Sequence, residues 1–168
     1  MLEFKKFLKG NDLRSIGNNK EIIELIHSQK DFDKLFSYLY NEDRAGRMKV
    51  IDIIEKITAT ESKYLIKHRK EIISFAENST NIEFKWHLAQ LLSRLDYSKK
   101  ELKIVWKKLK HWVMDTNESK IVRVNSLQSL YDLKNNNPNL ELEFINIVRN
   151  LIKENVASIN SRIKKLKI

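Results

Sequence analysis

Apolar residues recur along this chain at spacings of three and four. The pattern is sharpest in Ile82–Leu95 (IEFKWHLAQLLSRL), where Phe84, Leu88, Leu91, Leu92 and Leu95 share one face of a helix. The same arrangement returns at fixed distance. Arg44–Ile57 (RAGRMKVIDIIEKI) stands 38 residues earlier and Lys120–Leu133 (KIVRVNSLQSLYDL) 38 later, with a shorter echo, Ser158–Leu166 (SINSRIKKL), at 39. A cation recurs in register: Arg47, Lys85, Arg123, then Arg162.

The stretches between these helices are helical too. Leu2–Lys9 predicts a short amphipathic helix with Phe4, Phe7 and Leu8 on its apolar side, broken by the turn-rich 10–19 stretch (GNDLRSIGNN). Lys20–Ser28 follows, dense in isoleucine and leucine. Asp31 is the expected N-cap of Phe32–Tyr40. From there the pattern alternates between a helix A and a helix B. Glu61–Glu77 is the second A helix, and Thr80 with Glu83 reads as the capping box opening the second B helix. Ser98 with Glu101 opens the third A helix, Lys99–Met114. Asn117 starts the third B helix, and Asn137 with Pro138 opens the fourth A helix. Asn155 begins the last, truncated B helix. No stretch is long enough for a linker, so one domain is expected over 1–168, with 1–30 as an N-terminal helical cap and 31–168 as repeats.

One such pair cannot hide its apolar stripe alone, whereas stacked pairs share a continuous core. A period of 38–39 lies just below the range of HEAT and armadillo arrays, and the signature residues of 34- and 33-residue repeats are absent. Asn41, Ser79 and Asn117 stand six residues before the recurring cation. In HEAT arrays such turn residues and cations often bond repeat to repeat. On these features the chain resembles HEAT-repeat proteins over roughly residues 18–168. More narrowly it resembles a bacterial family of small HEAT proteins with the stretches RSIG (Arg14–Gly17), KWHLAQLLSRL (Lys85–Leu95), SKIVRVNSLQSLYDL (Ser119–Leu133) and a basic end (Ser161–Leu166). The resemblance implies a fold and no chemistry: an all-α, right-handed α-solenoid of about four helix pairs. Gly46 aligns with Phe84 and Val122, both core positions. Glycine within a helix costs about 1 kcal/mol, so a close helix contact is expected there.

Composition agrees. The 168 residues are 42% hydrophobic, with three Gly and one Pro, which favours helices over sheet. There is no Cys, so disulfides and thiolate metal sites are excluded, and a reducing, cytoplasmic setting is expected. No apolar run reaches about 18 residues, so no membrane insertion is expected. The start, MLEFKKFLKG, lacks the apolar core of a secretory signal. The net charge of +10 is uneven: 15 Lys/Arg against 14 Asp/Glu in residues 1–84, and 17 against 8 in residues 85–168. A basic half attracts phosphate or anionic lipid, although heavy Lys and Asn use throughout gives a compositional reason for the same charge.

Known catalytic patterns are missing. The chain has no HExxH, no GxSxG and no glycine-rich phosphate loop. The histidines, His27, His68, His87 and His111, fall in different helices. His68 and Glu71 are one turn apart, a spacing more typical of a surface pair than of a metal site. No cofactor or metal is expected. The HEAT-like DNA glycosylases use this fold with Trp, Asp and Arg in a basic groove. Trp86, Asp52 and Arg44 lie on the corresponding face but in different repeats, so that activity is a remote third expectation.

The leading expectation is a non-enzymatic module holding a protein or peptide partner on the concave face lined by B helices. The face opposite Phe84 and Leu88 presents Ile82, Trp86, Gln90 and Ser93. Its aligned positions are Arg44, Met48, Asp52 and Glu55 in the first B helix, and Lys120, Val124, Gln128 and Tyr131 in the third. The expected contact residues are Trp86, Tyr131, Gln90, Gln128, Arg44 and Lys120, since Trp and Tyr often dominate binding energy. The alternative is nucleic-acid binding through Lys99, Lys100, Lys103, Lys107 and Lys120. Most of these lie on the basic side of KKELKIVWKKLKHWVM, opposite Leu102, Val105, Trp106, Leu109, Trp112 and Val113.

Overall fold

The computed structural model describes residues 19–41 and 43–168. The expected helix Leu2–Lys9, the turn after it and Arg14–Gly17 lie outside the described residues. Among those described, every regular element is helical, and the chain divides into two compact units, Met1–His68 and Arg69–Ile168.

In the first unit, α1 (Asn19–Glu24), α2 (Gln29–Asn41) and α3 (Arg44–Thr58) are followed by a 3₁₀ helix, Ser62–His68. The expected Lys20–Ser28 helix is shorter, ending at Glu24. Asp31 is not the cap of α2. Ser28 Oγ accepts the Asp31 N–H at 3.2 Å and donates to the Asp31 carboxylate at 2.7 Å, so the two form a reciprocal box. Helix α3 packs against α1, α2 and the 3₁₀ helix. Phe32, Leu35, Phe36, Val50, Ile51, Ile53, Ile54 and Leu65 are buried there. Burial of each such side chain contributes about 1.5–3 kcal/mol before chain entropy. Gly46 is buried on α3, as its alignment with core positions requires.

In the second unit, α4 (Arg69–Asn78) and α5 (Ile82–Leu92) form a pair, as do α6 (Lys99–Met114) and α7 (Lys120–Asn136), and α8 (Glu141–Glu154) and α9 (Ala157–Leu166). First members neighbour first members, α4 beside α6 and α6 beside α8. Second members do likewise, α5 beside α7 and α7 beside α9. The expected second A helix, Glu61–Glu77, is divided instead into the 3₁₀ helix and α4.

The caps carry the period. Asp43, Asn81 and Ser119 each accept the backbone N–H three residues on, from Gly46, Phe84 and Val122, at 2.8, 3.0 and 3.3 Å. The expected starts at Thr80 and Asn117 therefore shift by one and two residues. Only the Ser98–Glu101 box stands as read, with both reciprocal bonds present. Pro138 opens a 3₁₀ turn, Pro138–Leu140, rather than α8 itself, because the Asn137 side chain bonds back to the Leu133 carbonyl.

Ion pairs tie each pair in the second unit to the next. Arg69 Nε donates to Glu101 at 3.1 Å, Lys85 Nζ to Glu118 at 2.6 Å and Lys110 Nζ to Glu143 at 2.6 Å. Arg123, 3% exposed, bonds the Val113 carbonyl at 2.8 Å and the Glu154 carboxylate. The recurring cations Lys85 and Arg123 are thus structural in this unit. Arg162 turns back to Gln128, and Arg47, in the first unit, is exposed.

Candidate functional site

Two second members of the pairs, α5 and α7, carry the expected contact residues of the second unit. Ile82, Trp86 and Gln90 follow one another at four-residue intervals along α5. Ile82 is 47% exposed, Trp86 is half-buried, and its ring lies 4.3 Å from that of His87. The Gln90 amide donates to the Trp86 carbonyl at 3.4 Å. On α7, Lys120 is exposed at the first position and Val124 is half-buried.

Gln128 connects helices. Its amide donates to Asp132 at 2.9 Å, and its carbonyl accepts from Arg162 Nη1 on α9 at 2.8 Å. Ser93, the residue after α5, lies beside Asp132 with its hydroxyl donating to the Gln90 carbonyl at 3.1 Å, and Asp132 feels the charges of Arg162 and Arg94. One hydrogen-bonded chain, Asp132–Gln128–Arg162, therefore links α7 and α9, with the end of α5 beside it. Burial pushes the Asp132 carboxyl above its usual range, and Gln128, Ser93 and the two arginines, which pull the other way, do not offset it. Sequence reasoning missed Asp132 and Arg162 as members of this surface. The available signal was Gln128 and Asp132 at i, i+4, a pair that faces itself on a helix.

Tyr131 is placed elsewhere. Its ring lies 6.0 Å from that of Phe144 on α8, with Lys134 Nζ above both rings at 5.1 and 5.7 Å. The structure thus gathers Gln128, Asp132 and Arg162, keeps Trp86 and Gln90 on α5, and turns Tyr131 toward α8.

The basic helix α6 separates into two groups. Lys99, Lys100, Lys103 and Lys107 are exposed and form no ion pair with a described residue. Lys110 is engaged by Glu143. Lys108 donates to the Glu77 carbonyl at 3.0 Å and lies 5.4 Å over the Trp112 ring. Its pKa is held below the ordinary value by burial and by Lys85, against the pull of Glu77 and Glu118. The opposite face is packed as expected, with Val105, Trp106, Leu109, Trp112 and Val113 buried.

In the first unit, Arg44 is exposed at the start of α3. The expected exposed stripe of this helix is corrected at Met48, which is only 7% exposed on a helix that α1, α2 and the 3₁₀ helix pack against. Asp52 is engaged by Asn19 at 2.5 Å and Lys56 at 2.6 Å, so it is tied into that packing. His68 belongs to no group of three potential metal ligands among the described residues. It stacks on Phe36 with centroids 3.8 Å apart, and its Nε2 lies 2.8 Å from Asp33. Burial raises the Asp33 pKa, but bonds from Lys67, Gln29 and His68 outweigh it and hold the carboxyl at about 2.

Among the described residues no group of three His, Cys, Asp or Glu could hold a metal ion, and no helix is long and apolar enough to cross a membrane. Comparison with known proteins returns no match, whether to a family model, a characterised protein or a solved structure.

Proposed function

We propose that the chain is a HEAT-like α-solenoid and that its second unit holds a protein segment along the surface of α5, α7 and α9. The regular neighbouring of first and second members, the caps 38 residues apart and the repeated junction ion pairs support the architecture. The chain Asp132–Gln128–Arg162, with the half-buried Trp86 on the neighbouring helix α5, carries the reading. It joins two helices beside the end of a third, includes a carboxylate whose pKa burial raises, and is accompanied by an exposed Ile82 and a half-buried Trp86. Preorganised polar groups near an aromatic anchor are what a peptide with one or two apolar side chains needs. The proposed role is binding, not catalysis.

Peptides selected from a random library on the immobilised protein test the reading by calorimetry. Trp86→Ala should weaken them about tenfold or more, as loss of an aromatic anchor does. Gln128→Ala should weaken them less, and raising the salt should change affinity little. Selected peptides that bind Trp86→Ala as well as the parent would overturn the proposal.

The exposed, unpaired lysines Lys99, Lys100, Lys103 and Lys107 favour a second reading, nucleic-acid binding with Lys120 as a further contact. Its signature is affinity for duplex or single-stranded DNA that falls steeply with salt. No binding at low salt would end it.

A further inference from the structure

We infer that the free side of α8 docks an amphipathic helix whose apolar stripe is bordered by carboxylates. Helix α8 buries Phe144, Ile147, Val148 and Leu151 in its own unit. Glu143 reaches Lys110 on α6, which fixes the side that faces the preceding pair. At about 100° per residue, Ile145 and Ile152 lie some 160–180° around the helix from Glu143, on the side turned away from α6. Leu142, Ile145, Arg149 and Ile152 follow at spacings of three, four and three, the seam spacing of a two-helix contact. Leu142 is 78% exposed and Ile152 51%. Beside them a hollow of about 270 Å³ is lined by Glu141, Phe144, Ile145, Val148, Arg149 and Ile168, enough for an apolar side chain.

The chemistry of the occupant follows from the charges. Earlier first members meet the next one through a cation and a carboxylate 32 or 33 residues apart, Arg69 with Glu101 and Lys110 with Glu143. On the open side of α8 the cations are Arg149 and Lys153, both exposed and in no ion pair with a described residue. Lys167 stands next to Ile168 at the edge of the hollow. The carboxylate on this side, Glu141, is already held by Lys134 at 2.8 Å. The charge left over is positive. A second copy would bring the same cations against Arg149 and Lys153, whereas an acidic helix would complete the junction as Glu101 and Glu143 do.

The probes are two synthetic helices of about three heptads, both with Leu and Ile at the seam, one with Glu and one with Lys at the flanking positions. Fluorescence anisotropy measures their binding to the full chain. The acidic helix should bind at least tenfold more tightly than its lysine counterpart. Leu142→Glu combined with Ile152→Glu should abolish binding, and Trp86→Ala should leave it unchanged, which separates this surface from the one proposed above. Arg149→Glu, a single change at an exposed position, should reverse the preference between the two peptides. Equal affinity for both peptides, or binding indifferent to these substitutions, would overturn the inference. So would a dimer in sedimentation that the Leu142 and Ile152 changes dissolve, because the occupant would then be a second copy.

Discussion

Lys85 and Glu118 lie 2.6 Å apart across the junction between α5 and α7, 33 positions apart in sequence, with side chains only 16% and 7% exposed. Glu118 also accepts the Ser119 N–H at 3.0 Å, at the start of α7. The pair therefore sets where one helix begins relative to the other. Both charges have been taken largely out of water, so removing one partner is worse than removing both. Glu118→Ala should lower unfolding free energy by about 3 kcal/mol, while Lys85→Met with Glu118→Leu should come much closer to the parent. Urea denaturation of the three variants measures this, and equal losses for single and double variants would show that the pair adds nothing of its own.

Gly46 occupies on α3 the position that Phe84 holds on α5. Phe84 has room for its ring, set edge-on against Phe75 at 5.6 Å. Gly46 is buried in a helix packed against α1, α2 and the 3₁₀ helix. Gly46→Phe should therefore destabilise by at least the 1–3 kcal/mol typical of an overfilled core. Thermal unfolding should shift down by several degrees, and an unchanged melt would place the helix in a different phase.

The period of 38 and the helix phases were legible because burial repeats them: Leu88, Leu91, Leu92, Leu95 and Val122 are buried where the spacing put them, and Phe84, at the edge of that face, is half-buried. The caps were legible only in kind. A short polar residue was expected at each start, but Thr80 and Asn117 lie beside the residues that accept the bond, Asn81 and Ser119, and only geometry separates neighbours of equal propensity. Tyr131 was harder. Helical phase placed it near Gln128, yet an aromatic ring follows whichever neighbour buries it, and here that is Phe144. Met48 was misplaced because the elements that pack on α3 are set by tertiary contacts, and no spacing within α3 announces which of its positions they cover.

Asp33 should make the first unit sensitive to acid. Its carboxyl titrates at about 2 in the folded chain against an ordinary 3.8, so the folded state favours the charged form. The stabilisation is complete above the ordinary value and is lost as pH falls from about 4 toward 2. Asp33→Asn should lower the melting temperature at neutral pH and flatten the loss in that window. His68 fluctuations, followed by NMR at its ring protons, should increase in the same variant, because the ring keeps Phe36 and Phe32 as neighbours but loses the carboxylate. A parent and variant that lose stability in parallel from pH 4 to 2 would remove Asp33 as the cause.

Asp132 should behave in the opposite sense. Burial holds its folded pKa above the ordinary value, so ionising it opposes folding, and stability contributed by this group rises as pH falls through the folded pKa. Asp132→Asn keeps an oxygen for the Gln128 amide and removes the desolvated charge. The variant should melt higher than the parent at pH 7, and the difference should shrink as pH falls through the parent's raised folded pKa and its carboxyl takes up a proton. A variant that melts lower at pH 7 would mean that attraction from Arg162 and Arg94 exceeds the burial penalty. If the more stable variant also binds the selected peptides more weakly, the carboxylate is retained at a cost to folding because the partner uses it.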